Sequence, residues 1–218
     1  MNFMFSLAFL IFSGKLYLTS NFSFNMERMK KEIMLNDYVI THHEINPQTM
    51  AILANHKENR RTNSSHILEE SREYIVHISP TKVIDNACKF FGSSLKGRLD
   101  GTRDISGITH KSPIVIDPTS GMYFFPTFSP VNAKCSWIAH SHVEMIIPKE
   151  KNHTKVVFKN GQRIVFDVSY GSMMNQIHRT AQFRYSLEER IKIIRDNYQM
   201  IQVQSEFHDE TINKHLFD

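Results

Sequence analysis

Between Lys89 and Pro113 the chain sets Gly92, Gly97 and Gly101 among Lys89, Lys96, Arg98, Arg103 and Lys111. Glycine lets a backbone come close to a polyanion, and Lys or Arg neutralises it, so these residue types describe a phosphate-contacting surface. Gly92 and Gly97 also have the G-x-x-x-x-G spacing of a nucleotide P-loop. A P-loop continues with Lys and Ser or Thr and follows a buried strand. Here Arg98-Leu99 come next and a helical pattern precedes, so the nucleotide reading fails. The segment is either a loop that binds nucleic-acid backbone or a plain structural loop. Arg179 and Arg184 join the cationic set, because no acidic residue lies between Asp167 and Glu188.

Other chemistries have weaker footing. On a strand, His140, His142 and Glu144 of the run His140-Ser141-His142-Val143-Glu144 would share one face, and two imidazoles with a carboxylate are part of a metal site. A metal-binding enzyme centred there is the alternative reading; a half-exposed strand face is the plainer one. Gly92-Ser93-Ser94 lacks the closing glycine of a G-x-S-x-G nucleophile turn, and Cys135 has no catalytic signature around it. No enzymatic activity, metal or other cofactor is expected. The aromatic residues Phe90, Phe91, Tyr123, Phe124, Phe125 and Trp137 could stack on bases, but as large apolar groups they read first as core.

Charge is unevenly spread. The net formal charge is +4 over 218 residues, yet Ser79 to Met200 holds 17 Lys and Arg against 10 Asp and Glu. Residues Met26 to His77 carry 7 against 8, and the stretch from Ile201 carries 1 against 4. A basic centre with neutral or acidic flanks suits an anionic partner. Hydrophobic content of 41% supports a packed core, and two cysteines remote in sequence exclude a disulfide scaffold and suit a reducing cytoplasm. Phe3 to Phe12 is apolar, but too short for a membrane-spanning helix, and no cation precedes it as an export signal would require. A short hydrophobic anchor and a degenerate export signal are the alternatives, but residues 1–25 read first as extraneous, from a translation start placed too far upstream, because Met26, Met29 and Met34 follow in a polar context. Residues 26–200 read as one domain, and residues 201–218 as a divergent tail.

The elements that must position the cations follow from periodicity. Tyr38-Val39-Ile40, Met50-Ala51-Ile52-Leu53 and Tyr74-Ile75-Val76-His77-Ile78 are strand runs, the first two joined by the turn pair Asn46-Pro47. Asn55 to Arg72 is polar and reads as an exposed loop or frayed helix. Ser79-Pro80 opens a helix whose stripe is Val83, Ile84, Ala87, Cys88 and Phe91, and Gly92 closes it. Pro113 to Asp117 and Met122 to Pro126 form a hairpin, and Trp137 to Ala139 and Val143 to Ile147 are further strands. Lys155 to Lys159, Asn160-Gly161 and Arg163 to Val168 make a second hairpin with the sequence signature of a two-residue type I′ turn. After Gly171 the period becomes helical. One helix capped by Ser172 is expected, then a second opened by the capping box Ser186-Leu187-Glu188-Glu189. The fold class is α+β: antiparallel hairpins or a meander, one helix before them and a C-terminal helical pair after.

Many words along this frame resemble the competence transcription factor (ComK) family. They are Asn86 to Ser94 with Gly97-Arg98, His110 to Ile114, Asp117-Pro118, Phe124 to Thr127 and Cys135 to Ile138. The Asn160-Gly161 hairpin, Val168-Ser169-Tyr170, Asn175-Gln176 and Arg179-Thr180 complete the set. The resemblance runs from about Ile75 to about Arg190. It implies a cytoplasmic, nucleoid-associated activator of DNA-uptake genes that binds paired A/T-rich boxes of double-stranded DNA as a homo-oligomer, through the minor groove. It also implies control by an adaptor and protease system, and no membrane partner. Narrow A/T minor grooves attract arginine. Arg98, Arg103, Arg179 and Arg184 are then the expected groove residues, with Lys89, Lys96 and Lys111 on phosphates. A regulatory interaction module that never touches DNA is the remaining alternative.

Overall fold

A computed structural model describes residues 43–55 and 64–215, with side chains as far as residue 200. All of them belong to the compact unit Ile40–Asp218. The expectations for residues 1–25 and for Tyr38-Val39-Ile40 lie outside the described residues.

Two antiparallel meanders build the main sheet. The first is β1 (Thr49–Asn55), β2 (Ser64–Glu69) and β3 (Glu73–Val76); the second is β4 (Ile114–Asp117), β5 (Met122–Pro126) and β6 (Trp137–Ala139). They join edge to edge where β1 pairs with β6, giving the order β3-β2-β1-β6-β5-β4. Two helices lie between the meanders in sequence, α1 (Pro80–Phe90) and α2 (Leu95–Ser106). A second sheet of β7 (Val143–Pro148), β8 (Thr154–Phe158) and β9 (Arg163–Phe166) follows, and then the long helix α3 (Tyr170–His215). The α+β class and the antiparallel pairing are as expected. Among the described residues no helix is long and apolar enough to cross a membrane.

Alternation along the strands gives the main sheet two buried faces. Ile52, Ile67, Ile114, Ile116, Phe124 and Trp137 meet Val83, Ile84, Ala87 and Cys88 of α1 and Leu95 of α2. On the opposite face Met50, Leu68, Phe125 and Ile138 meet Val156 and Phe158 of β8, Phe166 of β9 and Met173 of α3. A smaller cluster of Ile108, Val115, Tyr123 and Phe183 seals α3 against the β4–β5 hairpin.

Several local expectations are corrected. The polar stretch Asn55 to Arg72 contains a strand, β2, because its buried polar groups find partners. Ser65 Oγ donates to the Ile78 carbonyl at 2.6 Å, and the Glu69 carboxylate accepts from Asn46 Nδ2 at 2.6 Å and pairs with His43 Nε2 at 2.9 Å. The segment around Gly97 and Gly101 is the helix α2, so one helix before the second meander becomes two. Each glycine costs that helix about 1 kcal/mol of propensity. The Ser94 hydroxyl caps the N-terminus by accepting from Gly97 N–H at 3.1 Å, and Gly107, at φ 71°, closes the C-terminus with an N–H to the Arg103 carbonyl. Gly97 also leaves room for its cap, since a Cβ there would stand 3.3 Å from Ser94 Oγ.

In α1, Ser79 and Pro80 act as expected, with Lys82 N–H donating to Ser79 Oγ. Phe91 is the C-cap rather than a stripe residue, and it is exposed beside Phe90, because the helix stops before rotation carries them under. The other aromatics of that set, Tyr123, Phe124, Phe125 and Trp137, are buried. In the β8–β9 hairpin Asn160 keeps negative φ, and only Gly161 is left-handed, at φ 87°. Phe158 N–H donates to the Gln162 carbonyl and Gly161 N–H to the Phe158 carbonyl. The connection is thus a three-residue turn closed by a glycine bulge, not type I′. The expected C-terminal pair is one helix of 46 residues. Ser169 accepts from Ser172 N–H at its start, and Leu187 packs on the Phe183 cluster, so the backbone runs straight through Ser186.

Candidate nucleic-acid interface

The loop 107–112 carries His110 and Lys111 from α2 to β4, and α3 holds it in place. Gln176, buried on α3, donates from Nε2 to the Lys111 carbonyl at 3.0 Å and to the Pro126 carbonyl at 2.7 Å. Both amide hydrogens are thereby used, and its Oε1 accepts from Arg179 Nη1 at 3.3 Å. Arg179 Nη2 donates to the His110 carbonyl at 2.6 Å. Desolvation lowers the Arg179 pKa from its ordinary value, but a guanidinium stays charged at any physiological pH.

Lys111 itself adopts φ 47°, a left-handed conformation that costs a non-glycine residue on the order of 1 kcal/mol. The Gln176 bond to its carbonyl compensates. The Lys111 ammonium reaches the Thr127 carbonyl at 3.4 Å and lies 5.6 Å from the centre of the Phe128 ring. Lys111 and Arg179 are therefore brought together on one seam, with Gln176 as the residue that sets both. Sequence reasoning did not single out Gln176 for this role. Its one signal is polarity at a position in phase with Met173 and Thr180, the buried side of α3.

The other expected cations stand on α1, on α2 and farther along α3. On α2, the Arg98 Nη2 donates to the Ile116 carbonyl at 2.9 Å, which pins the helix to β4. Thr102, fully buried one turn later, adds a bond to the Pro113 carbonyl at 2.7 Å. Arg103 is exposed and pairs with Asp100 at 3.1 Å, and Lys96 is exposed in the first turn. Lys89, in the last turn of α1, pairs with Asp85 at 2.8 Å; that ammonium is the leading cause that lowers the Asp85 pKa. Arg184 bonds Glu188 at 2.7 Å and sits 5.4 Å from the centre of the Tyr123 ring.

The metal face expected of His140, His142 and Glu144 does not form as a strand. His140–His142 is a 3-10 turn, and β7 begins only at Val143, so the period-two alignment with Glu144 is broken. His142 Nε2 lies 2.8 Å from the Pro47 carbonyl, and burial lowers the His140 pKa, helped by Arg184 and Lys159. Among the described residues no group of three or more His, Cys, Asp or Glu is placed to hold a metal ion.

Comparison with known proteins agrees with the frame. The family model described as ComK protein matches residues 40–192. The chain belongs to that family. It is similar to the "Competence transcription factor" of Bacillus subtilis (strain 168), with 36% identity over 155 residues, which is 71% of this chain and 80% of the relative. No solved structure matches the chain. The family match spans both sheets, all of α1 and α2, and α3 as far as Lys192, so the Lys111–Arg179 seam lies inside it.

Proposed function

We propose that this protein is a transcriptional activator of competence genes that binds duplex DNA at paired A/T-rich boxes, largely through the minor groove. The observation that carries the reading is the family match over residues 40–192, within which loop 107–112 and α3 hold Lys111 and Arg179 side by side. In this reading Lys89, Lys96, Arg103, Lys111 and Arg179 supply the charge that meets the duplex. Arg98, bound to the Ile116 carbonyl, and Arg184, over the Tyr123 ring, set the elements that present it. Paired boxes require at least two copies of the chain, so the protein acts as a homo-oligomer, on the nucleoid of the cytoplasm. Its family membership extends control by an adaptor and protease to it.

Fluorescence anisotropy with two duplexes of equal length tests this function, one carrying paired A/T boxes and one G/C-rich. Affinity for the A/T duplex should be the higher at every salt concentration. It should fall linearly in log–log form with added salt, because each neutralised phosphate releases condensed counterions. Equal affinity for the two duplexes would refute sequence selectivity, and no binding to either would refute DNA recognition altogether.

A further inference from the structure

The second sheet has an outer face that no other part of the described structure covers. Strand alternation sends Val156, Phe158, Ile164 and Phe166 inward to the core, so Lys155, Val157, Arg163 and Val165 point away from it. Register then fixes two cross-strand rows. Ile147, Lys155 and Val165 lie opposite one another across β7, β8 and β9, and Met145, Val157 and Arg163 form the next row. Each row contains one cation and two apolar side chains. Met145 is 53% exposed and Val165 55%, values foreign to a face packed on its own chain.

Lys149, just beyond the end of β7, extends the charge; its N–H bonds to the His153 carbonyl across the turn to β8. The proximity of the Lys149 ammonium, the leading cause, lowers the Lys155 pKa, and Arg163 adds to the effect. Among the described residues no carboxylate comes within ion-pair distance of Lys149, Lys155 or Arg163, although Glu144 and Glu150 are close in sequence. That distinguishes them from Lys89, Arg103 and Arg184, each of which has an acidic partner. Three like charges held together without counter-charge raise the energy of the free protein, and a polyanion relieves it.

We propose that the outer face of β7-β8-β9 is a second DNA-contacting surface, which lies along the sugar-phosphate backbone of a duplex. This rests on the duplex-binding function proposed above and names a surface for it. Lys149, Lys155 and Arg163 neutralise phosphates, while Met145, Ile147, Val157 and Val165 pack on the deoxyribose edges between them. Strand spacing of about 4.8 Å and a two-residue repeat of about 6.8 Å set the cations one row apart, within reach of neighbouring phosphates for side chains of this length. A single strand is the poorer fit. Single-strand binders stack bases on aromatic side chains, and the apolar members of this face are all aliphatic.

The experiment compares the parent chain with two triple variants of equal charge change. One is Lys149→Gln, Lys155→Gln, Arg163→Gln; the other is Arg190→Gln, Lys192→Gln, Arg195→Gln on the distal part of α3. Circular dichroism and thermal melting should leave both folded as the parent, since the sheet residues are solvent-facing. The salt slope of duplex binding falls by about 0.9 for each phosphate no longer neutralised, so the sheet variant's slope should drop by roughly 2.7 and its affinity roughly tenfold or more at physiological salt. The α3 variant should retain the parent's slope. An equal reduction in both variants would reduce the effect to net charge and overturn the proposal. Parent-like duplex binding by the sheet variant would also overturn it, leaving the face to an acidic polypeptide partner and DNA recognition to the Lys111–Arg179 seam. Failure of the parent to bind any duplex would instead remove the function on which the proposal rests.

Discussion

Replacing Gln176 by leucine should cost this protein about 3 kcal/mol without opening a cavity. The two side chains are close in volume, so packing changes little. Two hydrogen bonds disappear, to the Lys111 and Pro126 carbonyls, each worth about 1 kcal/mol net, and carbonyls left without a donor in a partly buried setting add about 1 kcal/mol, the low end of that penalty. In a domain of this size each kcal/mol moves the melting temperature by about 2–4 °C, so a drop of roughly 6–12 °C is expected. Differential scanning calorimetry reads that shift, with Asn175→Ala on the exposed side of α3 as control. The control should stay within about 0.5 kcal/mol of the parent. The same variant frees Lys111 to leave its left-handed conformation and removes the acceptor that orients Arg179. Duplex affinity measured below the melting range should then fall as well. A Gln176→Leu chain that melts within about 2 °C of the parent would refute the clamp, and with it the account of how the seam is assembled.

The arginines of α2 should separate by role. Arg98→Ala removes the bond to Ile116 and should destabilise by about 1–3 kcal/mol in urea denaturation, whereas Arg103→Ala, exposed and paired only with Asp100, should fall within about 1 kcal/mol of the parent. Equal stability of the two variants would show that Arg98 anchors nothing. High pH should reveal the two cysteines. Desolvation pushes the Cys88 and Cys135 thiols up to about 11 from an ordinary value of 9.0. The folded state therefore keeps its protons where the unfolded chain has lost them, so the stability is fully present below pH 9.0 and lost as pH rises toward about 11. Urea midpoints measured from pH 8 upward should decline beyond about 9, and both thiols should resist a disulfide reagent at pH 8 until the chain unfolds. Immediate reaction of either thiol in the native protein would contradict its burial.

Local chemistry made much of this protein legible. Ser79-Pro80 and Gly92 bound α1, because a hydroxyl cap, a fixed proline φ and a left-handed glycine act within one turn. The strand runs at Met50 to Leu53 and Met122 to Pro126 were readable as continuous apolar runs, which a sheet buried on both faces requires, and Arg163 to Val168 by its alternation. The family was legible too, from words spread between Ile75 and Arg190. Where local signals and packing disagreed, tertiary structure decided. Gly97 and Gly101 argue against helix, yet the Ser94 cap, the buried Leu95 and the Thr102 bond to Pro113 outweigh them. Ser186 to Glu189 is a capping box in sequence, but Leu187 packs in register with Phe183 and no break is left to cap. Polar β2 is a strand only because Asn46, His43 and Ile78 satisfy its buried groups. Cation counts alone could not tell which charges are spent inside the fold. That depends on which partners the fold brings near: the Ile116 carbonyl holds Arg98, whereas among the described residues no carboxylate reaches Lys155 or Arg163. Composition supplies the charges, but only the folded chain sets which of them have a partner within the protein and which do not.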